Sequence, residues 1–471
     1  MTAKANFSSV VMLTDLDDFI NPSQECVKPV QTSTPVTSGS AKIQIGEDGK
    51  HTQTINGKTE KLERAKITLN DCLACSGCIT SAETVLIGEQ SHSEFLKVCQ
   101  EIKANSESRL NLGAMRVYDV ESFSDLCLKE CGQDFVQRFK EKHSQNDLPV
   151  LASACPGWIC YAEKTHGNWI LPHISEIKSP QQLAGKYLKD VLPNEMETAS
   201  RIAVAMVMPC FDKKLEASRN DFLREDQLAK DVDYVITPVE IEQILDELEI
   251  DFMSLESSHV DPLVVGAESN TWTVPSGSGS GGFAEHVFRY AAKELFGSSL
   301  ASVEFKTAKN SDVREAVLMK DGEQVLSVAI INGFKNIQNL VQKMKRKKCT
   351  YDYVEVMACP SGCLNGGAQL RPNLVESKTL VAQMGLLYAG LPQRNVDEAR
   401  AEKLASVWSP GESVEEHSKK VKNQIPCGAQ INECFDSKMV ITCDLFDGVS
   451  VVIVVNKSGL FEYWSHFFLE A

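Results

Sequence analysis

Long apolar runs are missing from this sequence of 471 residues. The longest candidate, Val449–Val455, is interrupted by Ser450 and falls far short of the ~20 apolar residues that a membrane-spanning helix needs. The first residues do not form an apolar leader either, because Asp15, Asp17 and Asp18 lie among them. Since 43% of the residues are hydrophobic, a sizeable core can be buried. We therefore expect a soluble protein of about three domains, at roughly 150 residues each.

A surplus of basic residues is also absent. Lys and Arg together number 48, against 64 Asp and Glu, and the formal net charge is −16. Nucleic acids and anionic membranes both attract basic protein faces. We therefore expect neither of them to be the main partner.

Cysteine, in contrast, is abundant, with 16 residues. Without a sign of export, such cysteines are more often metal ligands or free core thiols than disulfides, which points to a reducing compartment. Several lie in short motifs, namely CLACSGC (Cys72, Cys75, Cys78), SACPGW (Cys155), MPCFDK (Cys210) and ACPSGC (Cys359, Cys363). Thiolate sulfur is the ligand of iron–sulfur clusters, usually with four cysteines per cubane. The motifs predict two such clusters.

From about residue 148 apolar runs alternate with helical periodicity. The predicted strands are Pro149–Ser153, Arg201–Met208, Val232–Thr237, Ser327–Ile331 and Tyr353–Met357. Such alternation is typical of an α/β fold with a largely parallel sheet. Three of these strands run directly into Cys155, Cys210 and Cys359. Because ligands in α/β folds bind beyond the carboxyl ends of strands, this pattern predicts a cofactor site.

The Cys72–Cys78 triplet fits the first three positions of a bacterial ferredoxin loop, C-x2-C-x2-C-x3-C-P. The fourth position is Ala82, so a fourth ligand comes from elsewhere or is absent, which would leave an open or three-iron cluster. Cys26 is our choice, because a lone cysteine in a polar segment has little reason to be in the core. The competing cysteines are Cys99, Cys127 and Cys131, of which the last two are spaced like buried helix thiols. Zinc is the lesser alternative, since a second C-x2-C pair and terminal histidines are both missing.

The second set comprises Cys155, Cys210, Cys359 and Cys363, enough for one cubane. Glycines beside these motifs allow backbone N–H groups to approach the sulfur atoms. The run Gly277–Gly282 formally fits the nucleotide pattern G-x-G-x-x-G but lacks a convincing strand before it. We expect it instead to be a turn that packs close to the second cluster.

These motifs resemble the three signature segments of [FeFe]-hydrogenases, which look like TSCCPGW, MPCxxKxxE and ExMACxGGCxxGGG. The resemblance spans roughly residues 70–395 and keeps the order of the segments. In the hydrogenases a cysteine before the first ligand serves as proton donor to the diiron unit, and here Ala154, which cannot carry a proton, takes that position. Lys213 stands at the position of the lysine that, in the enzymes, holds a cyanide of the diiron unit.

A narrower group matches more closely, namely the hydrogenase-like nuclear prelamin A recognition factor-like (NARF) family, which acts in cytosolic iron–sulfur assembly. The matching segments are Leu13–Ile20, Pro22–Cys26, Asp71–Glu83 and Cys155–Lys164. The resemblance implies two [4Fe-4S] clusters. The ligands that it implies for the N-terminal cluster are Cys26, Cys72, Cys75 and Cys78. Those for the second, more buried cluster are Cys155, Cys210, Cys359 and Cys363.

The implied fold is α/β and like the [FeFe]-hydrogenase large subunit, with two α/β lobes around a buried cluster and an N-terminal ferredoxin-like cluster segment. The expected organisation is an N-terminal arm and linker carrying Cys26 (1–65), a ferredoxin-like cluster region (66–145), the hydrogenase-like lobes (146–395), and a charged segment with an atypical tail (396–471). For residues 394–423 the sequence predicts a helix, then a turn at Ser409–Gly411 and then a mobile stretch. The family usually ends in tryptophan, whereas Trp464 is not terminal here, and we expect no ligand among Cys427, Cys434 and Cys443.

The resemblance implies a non-catalytic component of the cytosolic iron–sulfur assembly machinery that passes clusters from a scaffold to target apoproteins. The implied partners are the cytosolic scaffold, targeting-complex proteins of the WD40 propeller type and apo iron–sulfur proteins, in the cytoplasm and also the nucleus. The alternative is an iron–sulfur redox enzyme or electron carrier related to the hydrogenases.

Overall fold

A computed structural model describes the part of the chain that positions the second set of cysteines. The described residues are 42–45, 51–55, 58–61, 90–105, 114–141, 148–195, 201–224, 229–255, 261, 274–308, 310–371, 377–410, 414–422 and 449–455. The chain divides into two compact units, Met1–Ile79 and Thr80–Ala471. The finer domain boundaries expected from the sequence stay predictions.

In the first unit three short strands form an antiparallel sheet, in the order β1 (Lys42–Ile45), β2 (His51–Ile55) and β3 (Lys58–Lys61). Ile55 pairs with Lys58, and the two residues between them in sequence are Asn56-Gly57. Asn-Gly is the dipeptide most typical of a two-residue hairpin. The expected arm and linker therefore contains strands that hydrophobic periodicity does not reveal.

The second unit is mixed α/β. Its strands are β4 (Ala114–Asp119), β5 (Val150–Leu151), β6 (Arg201–Val207), β7 (Tyr234–Ile236), β8 (Val274–Pro275), β9 (Lys306–Thr307), β10 (Val313–Lys320), β11 (Glu323–Asn332), β12 (Tyr353–Met357), β13 (Gln393–Arg394) and β14 (Val449–Val455). Its helices are α1 (His92–Asn105), α2 (Glu121–Glu141), α3 (Pro156–His166), α4 (Pro180–Glu195), α5 (Asp212–Ser218), α6 (Pro238–Glu247), α7 (Phe283–Phe296), α8 (Phe334–Lys345), α9 (Ser377–Gly390), α10 (Glu398–Trp408) and α11 (Val414–Val421).

One sheet is entirely parallel and has the order β4-β14-β6-β7. Both faces of β6 are covered, since Val204, Ala205 and Met206 are at most 2% exposed. This explains why its sequence is continuously apolar rather than alternating. The strand β14, from the segment that the sequence analysis expects to be atypical, lies between β4 and β6 and is a central strand of this sheet.

The other large sheet has the order β5-β12-β11-β10-β9 and is only partly parallel. β5, β12 and β11 run parallel, whereas β11, β10 and β9 are antiparallel. β10 and β11 form a hairpin around Asp321-Gly322, whose φ values of 53° and 84° suit a two-residue turn. The expectation of a largely parallel sheet is confirmed for the first sheet and for one half of the second.

Helix α2 packs against α4, α7 and α10 and buries Phe123 and Phe135 completely. Asp125, also fully buried, accepts a hydrogen bond of 2.5 Å from Arg394 and pairs with Arg400 at 3.4 Å. These ion pairs tie the α2 helix to the segment around β13 and α10.

The segment after α10 was expected to be mobile, which stays a prediction, but the sequence did not predict that it contains a helix. It contains helix α11, whose His417 lies 3.5 Å from Glu130 on α2. The sequence does not reveal this helix, because its residues are mostly charged. Its contacts with α2 and with the Trp408 ring are made by polar side chains such as His417 and Lys420. Within the described ranges, no helix is both long and apolar enough to cross a membrane.

Candidate metal centre

The two predicted cluster sites differ in what the structure describes. Cys26, Cys72, Cys75 and Cys78 lie outside the described residues, and so do Cys427, Cys434 and Cys443. Cys155, Cys210, Cys359 and Cys363 are all described. The ligand sets stay predictions, and the geometry of the second set can be examined directly.

Three chain segments bring the second set together. Cys155 follows β5, Cys210 follows β6, and Cys359 and Cys363 follow β12. The four thiols are close enough that every pair interacts electrostatically. The two sheets therefore deliver the cysteines to one place at their carboxyl ends, as expected for a ligand site in an α/β fold.

Solvent exposure separates these cysteines from most of the others. All four are partly exposed, whereas Cys99, Cys127, Cys131 and Cys160 are buried. The thiol of Cys127 donates a hydrogen bond of 3.2 Å to the carbonyl of Lys178, and burial raises the pKa of Cys99 to about 12. Of the two readings left open for Cys127 and Cys131, ligand or buried helix thiol, their burial on α2 favours the second.

Cys155 caps the N-terminus of α3. Pro156 occupies the first turn of the helix, where its missing N–H group costs no hydrogen bond. The sulfur accepts a hydrogen bond of 3.3 Å from the N–H group of Ala358. This donor lowers the pKa of the Cys155 thiol and so opposes part of the increase that burial causes.

The Cys359–Cys363 loop is built from unusual backbone conformations. Ser361 and Gly362 have φ values of 62° and 77°, in the left-handed region. The N–H of Ser361 is held by the carboxylate of Asp312 at 2.6 Å. The loop then turns into a short helical segment, Cys363–Asn365. The family pattern has glycine where Ser361 stands, so this chain adopts a strained conformation that glycine would adopt freely.

The glycine-rich run packs directly on this loop. A Cβ atom on Gly279 would lie 2.5 Å from Leu364, and one on Gly362 would clash with the Ser280 hydroxyl. That hydroxyl accepts a hydrogen bond of 3.0 Å from the N–H of Cys363 and also lowers the pKa of the Cys363 thiol by hydrogen bonding. The expectation that this run packs close to the second cysteine set is confirmed.

Glu355 anchors the same run to β12. Its carboxylate is completely buried and accepts hydrogen bonds from Ser278 and, at 2.8 Å, from the N–H of Ala284. Burial raises its pKa despite these donors. Sequence reasoning matched Glu355 and Gly362 to a motif but assigned no role to Ser280, because the contact joins residues 83 positions apart.

One cation lies beside the cysteines. The ammonium group of Lys213 pairs with Glu216 at 2.8 Å, and Glu216 accepts a hydrogen bond of 2.5 Å from Ser179. Burial alone would lower the pKa of Lys213, but Glu216, Cys210 and Cys363 raise it, so the lysine stays charged. Its charge in turn lowers the pKa of Cys363.

The remaining electrostatics favour protonated thiols in the absence of metal. Burial raises the pKa of Cys155 to about 12 and also raises that of Cys210, Cys359 and Cys363. The thiols and Asp212 add to the shift by mutual repulsion. A cationic group among the four sulfurs would remove this repulsion and displace their protons.

In the part of the chain that the structure describes, no three His, Cys, Asp or Glu side chains are arranged to hold a single metal ion. A cubane makes a different demand, because each of its four thiolates binds a different iron atom. Four mutually close, partly exposed thiols with N–H donors and a nearby lysine fit such a group. Ala154, beside Cys155, packs against the apolar core and offers no proton.

Comparison with known proteins agrees with this arrangement. The family described as iron only hydrogenase large subunit, C-terminal domain, matches residues 76–367. The apo [FeFe]-hydrogenase of Chlamydomonas reinhardtii, in a variant form, has a TM-score of 0.58 at 25% identity and covers 72% of this chain and 91% of its own. The expectation of a hydrogenase-like α/β fold is thereby confirmed.

Two relatives are much more similar in sequence. Cytosolic iron-sulfur assembly component 3 of Mus musculus is 44% identical in an alignment that covers 89% of this chain and 96% of the mouse protein. Cytosolic Fe-S cluster assembly factor narfl of Xenopus tropicalis is 46% identical in an alignment that covers 82% of this chain and 89% of the frog protein. The chain therefore belongs to the hydrogenase-like family of cytosolic iron–sulfur assembly factors, the prelamin A recognition factor-like (NARF) family.

Proposed function

We propose that this chain is a component of the cytosolic iron–sulfur protein assembly machinery that holds two [4Fe-4S] clusters. One would be held by Cys26, Cys72, Cys75 and Cys78. The other would be held by Cys155, Cys210, Cys359 and Cys363. The role as an assembly factor is supported by relatives that carry this name and align along most of the chain.

A single observation carries the second site, namely that three distant segments bring four cysteines together so that their desolvated thiols repel one another. Desolvated thiols that repel one another raise the free energy of the thiolate form, and a fold has no structural need for such a group. A bound iron–sulfur cluster supplies the compensating positive charge and a redox-active centre. Its cysteines must lose their protons on loading, so loading is favoured as the pH rises.

The chain's own residues shape the proposed second site. The N–H group of Ala358 donates a hydrogen bond to the Cys155 sulfur, and the Ser280 hydroxyl forms hydrogen bonds with Cys363. Lys213 places a positive charge beside Cys210 and Cys363. Hydrogen bonds and charges of this kind set cluster potential and stability.

We further propose that the chain transfers a cluster from the cytosolic scaffold to target apoproteins by ligand exchange, without catalysing a reaction. The N-terminal site, whose fourth ligand Cys26 lies 46 positions before Cys72 in sequence (72 − 26), is the proposed labile site. Apo iron–sulfur proteins and targeting proteins of the WD40 propeller type are the proposed partners. The proposed locations are the cytoplasm and, in addition, the nucleus.

Iron and acid-labile sulfide per chain, together with EPR of the anaerobically reduced protein, test this proposal. Wild type should contain about eight of each, and Cys26→Ala should fall toward about four. Zinc in place of iron, or an unchanged Cys26→Ala variant, would overturn the N-terminal site. If chelator removed the second cluster before the first, the assignment of the labile site would be wrong.

The likeness to hydrogenase structures favours a second candidate, an iron–sulfur redox enzyme or electron carrier. Ala154 weighs against hydrogen chemistry, because no proton donor precedes Cys155. Hydrogen uptake or a diiron signal from the purified protein would support the enzyme. Rapid reversible electron exchange with a reductase, without loss of iron to an apoprotein, would support the carrier.

A further inference from the structure

The middle of the Cys359–Cys363 loop carries backbone strain that its own side chains do not offset. Ser361 has a φ of 62°, at which the Cβ atom of a residue other than glycine crowds the following carbonyl oxygen. Within the described residues, the Ser361 hydroxyl makes no hydrogen bond that would compensate for this strain. A strained conformation persists only where the surrounding structure holds it, so a contact from outside the loop is required.

One hydrogen bond from outside the loop reaches the Ser361 backbone. The N–H of Ser361 donates to Oδ1 of Asp312 at 2.6 Å. Because the acceptor is a carboxylate, such a bond is roughly twice as strong as one between neutral groups. The next N–H, that of Gly362, bonds inside the loop to the carbonyl of Cys359 at 3.0 Å. Asp312 therefore supplies the contact that opposes the strain.

The sheet holds Asp312 in a fixed place beside the loop. Asp312 directly precedes β10, and its carbonyl accepts a hydrogen bond of 2.9 Å from the N–H of Asn332 at the end of β11. Asn332 in turn lies opposite Met357, the last residue of β12. These three residues form one row across the sheet, and Cys359 follows Met357 by two positions. The Asp312 side chain thus starts from a rigid row of backbone.

Two asparagine side chains brace the same row. The N–H of Asp312 donates to Oδ1 of Asn310 at 3.0 Å, and Nδ2 of Asn310 donates to Oδ1 of Asn336 at 3.3 Å. Asn336 lies on α8 and also donates to the carbonyl of Asn332 at 2.8 Å. The backbone of Asp312 is therefore fixed through both its N–H and its carbonyl. A fixed acceptor imposes its position on Ser361 instead of following the loop.

We propose that Asp312 is a positioning residue for the second cluster, because its bond to Ser361 fixes the turn between Cys359 and Cys363 and thereby the direction of both thiols. The inference rests on the function proposed above, since it takes these two cysteines as cluster ligands. Asp312 acts through the loop, because its carboxylate bonds to the backbone and not to a sulfur atom. Residues that orient metal ligands in this way contribute to metal retention without binding the metal.

Anaerobic release of iron from the loaded, full-length protein to a ferrous chelator tests this role. The iron of the second site is the release phase that Cys359→Ser lacks. Asp312→Ala should release this iron about tenfold faster than wild type. Asp312→Asn keeps an oxygen acceptor and should stay within about threefold of wild type. The matched control is Glu323→Ala, which removes an exposed carboxylate of the same hairpin and should release iron as wild type does.

A second substitution separates positioning from general loss of structure. Glycine adopts the φ of Ser361 without strain, so Ser361→Gly removes the need for the Asp312 contact. The double variant Asp312→Ala/Ser361→Gly should therefore release iron within about threefold of wild type. Thermal unfolding of cluster-free protein gives a readout without metal. There, Ser361→Gly should restore most of the midpoint temperature that Asp312→Ala loses.

Equal release from Asp312→Ala and wild type would overturn the positioning role, and so would the absence of rescue by Ser361→Gly in either measurement. If Asp312→Ala does not fold, a folded double variant would support the role and an unfolded one would overturn it. A wild type without the release phase that Cys359→Ser lacks would refute the second cluster and this inference together. Failure of the inference alone is thus distinguished from failure of the proposed function.

Discussion

The cysteines after the strands and the cysteines within the helices have opposite surroundings. Cys155, Cys210 and Cys359 follow β5, β6 and β12 and are partly exposed, whereas Cys127 and Cys131 lie on α2 and are buried. The helix thiols complete an apolar core, and Cys127 also satisfies a backbone carbonyl. The strand-end thiols face each other across loops that carry backbone donors. Cysteine count alone could not separate the two groups, but position relative to strand ends does.

This difference predicts a pH effect on the cluster-free protein. An unperturbed cysteine thiol has a pKa of 9.0, and burial in the fold raises the pKa of Cys155 to about 12. Above pH 9 the unfolded chain therefore loses a proton that the folded chain retains. Stability is therefore fully present below about pH 9 and falls as the pH rises. At pH 10 Cys155 alone should lower the free energy of unfolding by about 1 kcal/mol relative to pH 8.

Urea unfolding of cluster-free protein at pH 8 and pH 10 measures this effect. The matched control is a cluster-free variant with all four strand-end cysteines replaced by serine, which should lose less stability over the same interval because burial also raises the pKa of Cys210, Cys359 and Cys363. Equal losses in the two proteins would mean that the fold does not suppress ionisation of these thiols.

Replacing Glu355 should have the next largest effect on stability and on iron retention at the strand-end site. Glu355→Ala removes the acceptor for Ser278 and for the N–H of Ala284, and it leaves both donors buried. We expect a loss of about 3 kcal/mol of unfolding free energy and weaker iron retention, because the glycine-rich run would no longer be held on Cys363. Thermal unfolding and iron content measure the two effects. Glu315→Ala, which changes a carboxylate on β10, is the control, and an equal loss of iron in both variants would argue against the anchor.

Replacing a helix cysteine should reduce the stability of the protein without reducing its iron content. Cys131→Ala opens a small space in the core around α2 and should cost about 1–2 kcal/mol of stability. Iron and sulfide per chain should remain as in wild type. A drop in iron after this change would contradict the assignment of the helix cysteines as thiols that do not bind a cluster.

The smallest effect is expected at Ser361. Its φ of 62° is costly for a residue with a Cβ atom, so Ser361→Gly should raise the unfolding free energy by about 1 kcal/mol. Gly367→Ser, in the same motif, serves as comparison, since a Cβ atom there would meet nothing within 4 Å. Thermal unfolding measures both variants. A lower stability of Ser361→Gly than of wild type would show that the serine side chain stabilises the loop by more than its backbone conformation costs.

Much of the fold was predictable because its central strands are short and strongly apolar. β6 appears in the sequence as an almost entirely apolar run, and β12 as an apolar run interrupted only by Glu355, and each ends at a cysteine motif. β10 was missed although Asp321-Gly322 is a hairpin signal, since its exposed side chains alternate only weakly. The position of β14 between β4 and β6 could not be predicted, because the pairing joins Val452 to Arg116 across most of the chain.

The site itself was predictable only as a list of residue types. Motif spacing gave the cysteines, but it gave no sign of Ser280, whose contact with Cys363 depends on how two loops meet.

The central claim is that strand-end cysteines hold a cluster and helix cysteines do not. The most direct test is iron and acid-labile sulfide per chain in Cys359→Ser and Cys127→Ser, both purified anaerobically beside wild type. The account predicts a fall of about four iron and four sulfide in Cys359→Ser and none in Cys127→Ser. Equal iron in the two variants, whether retained or lost, would contradict it.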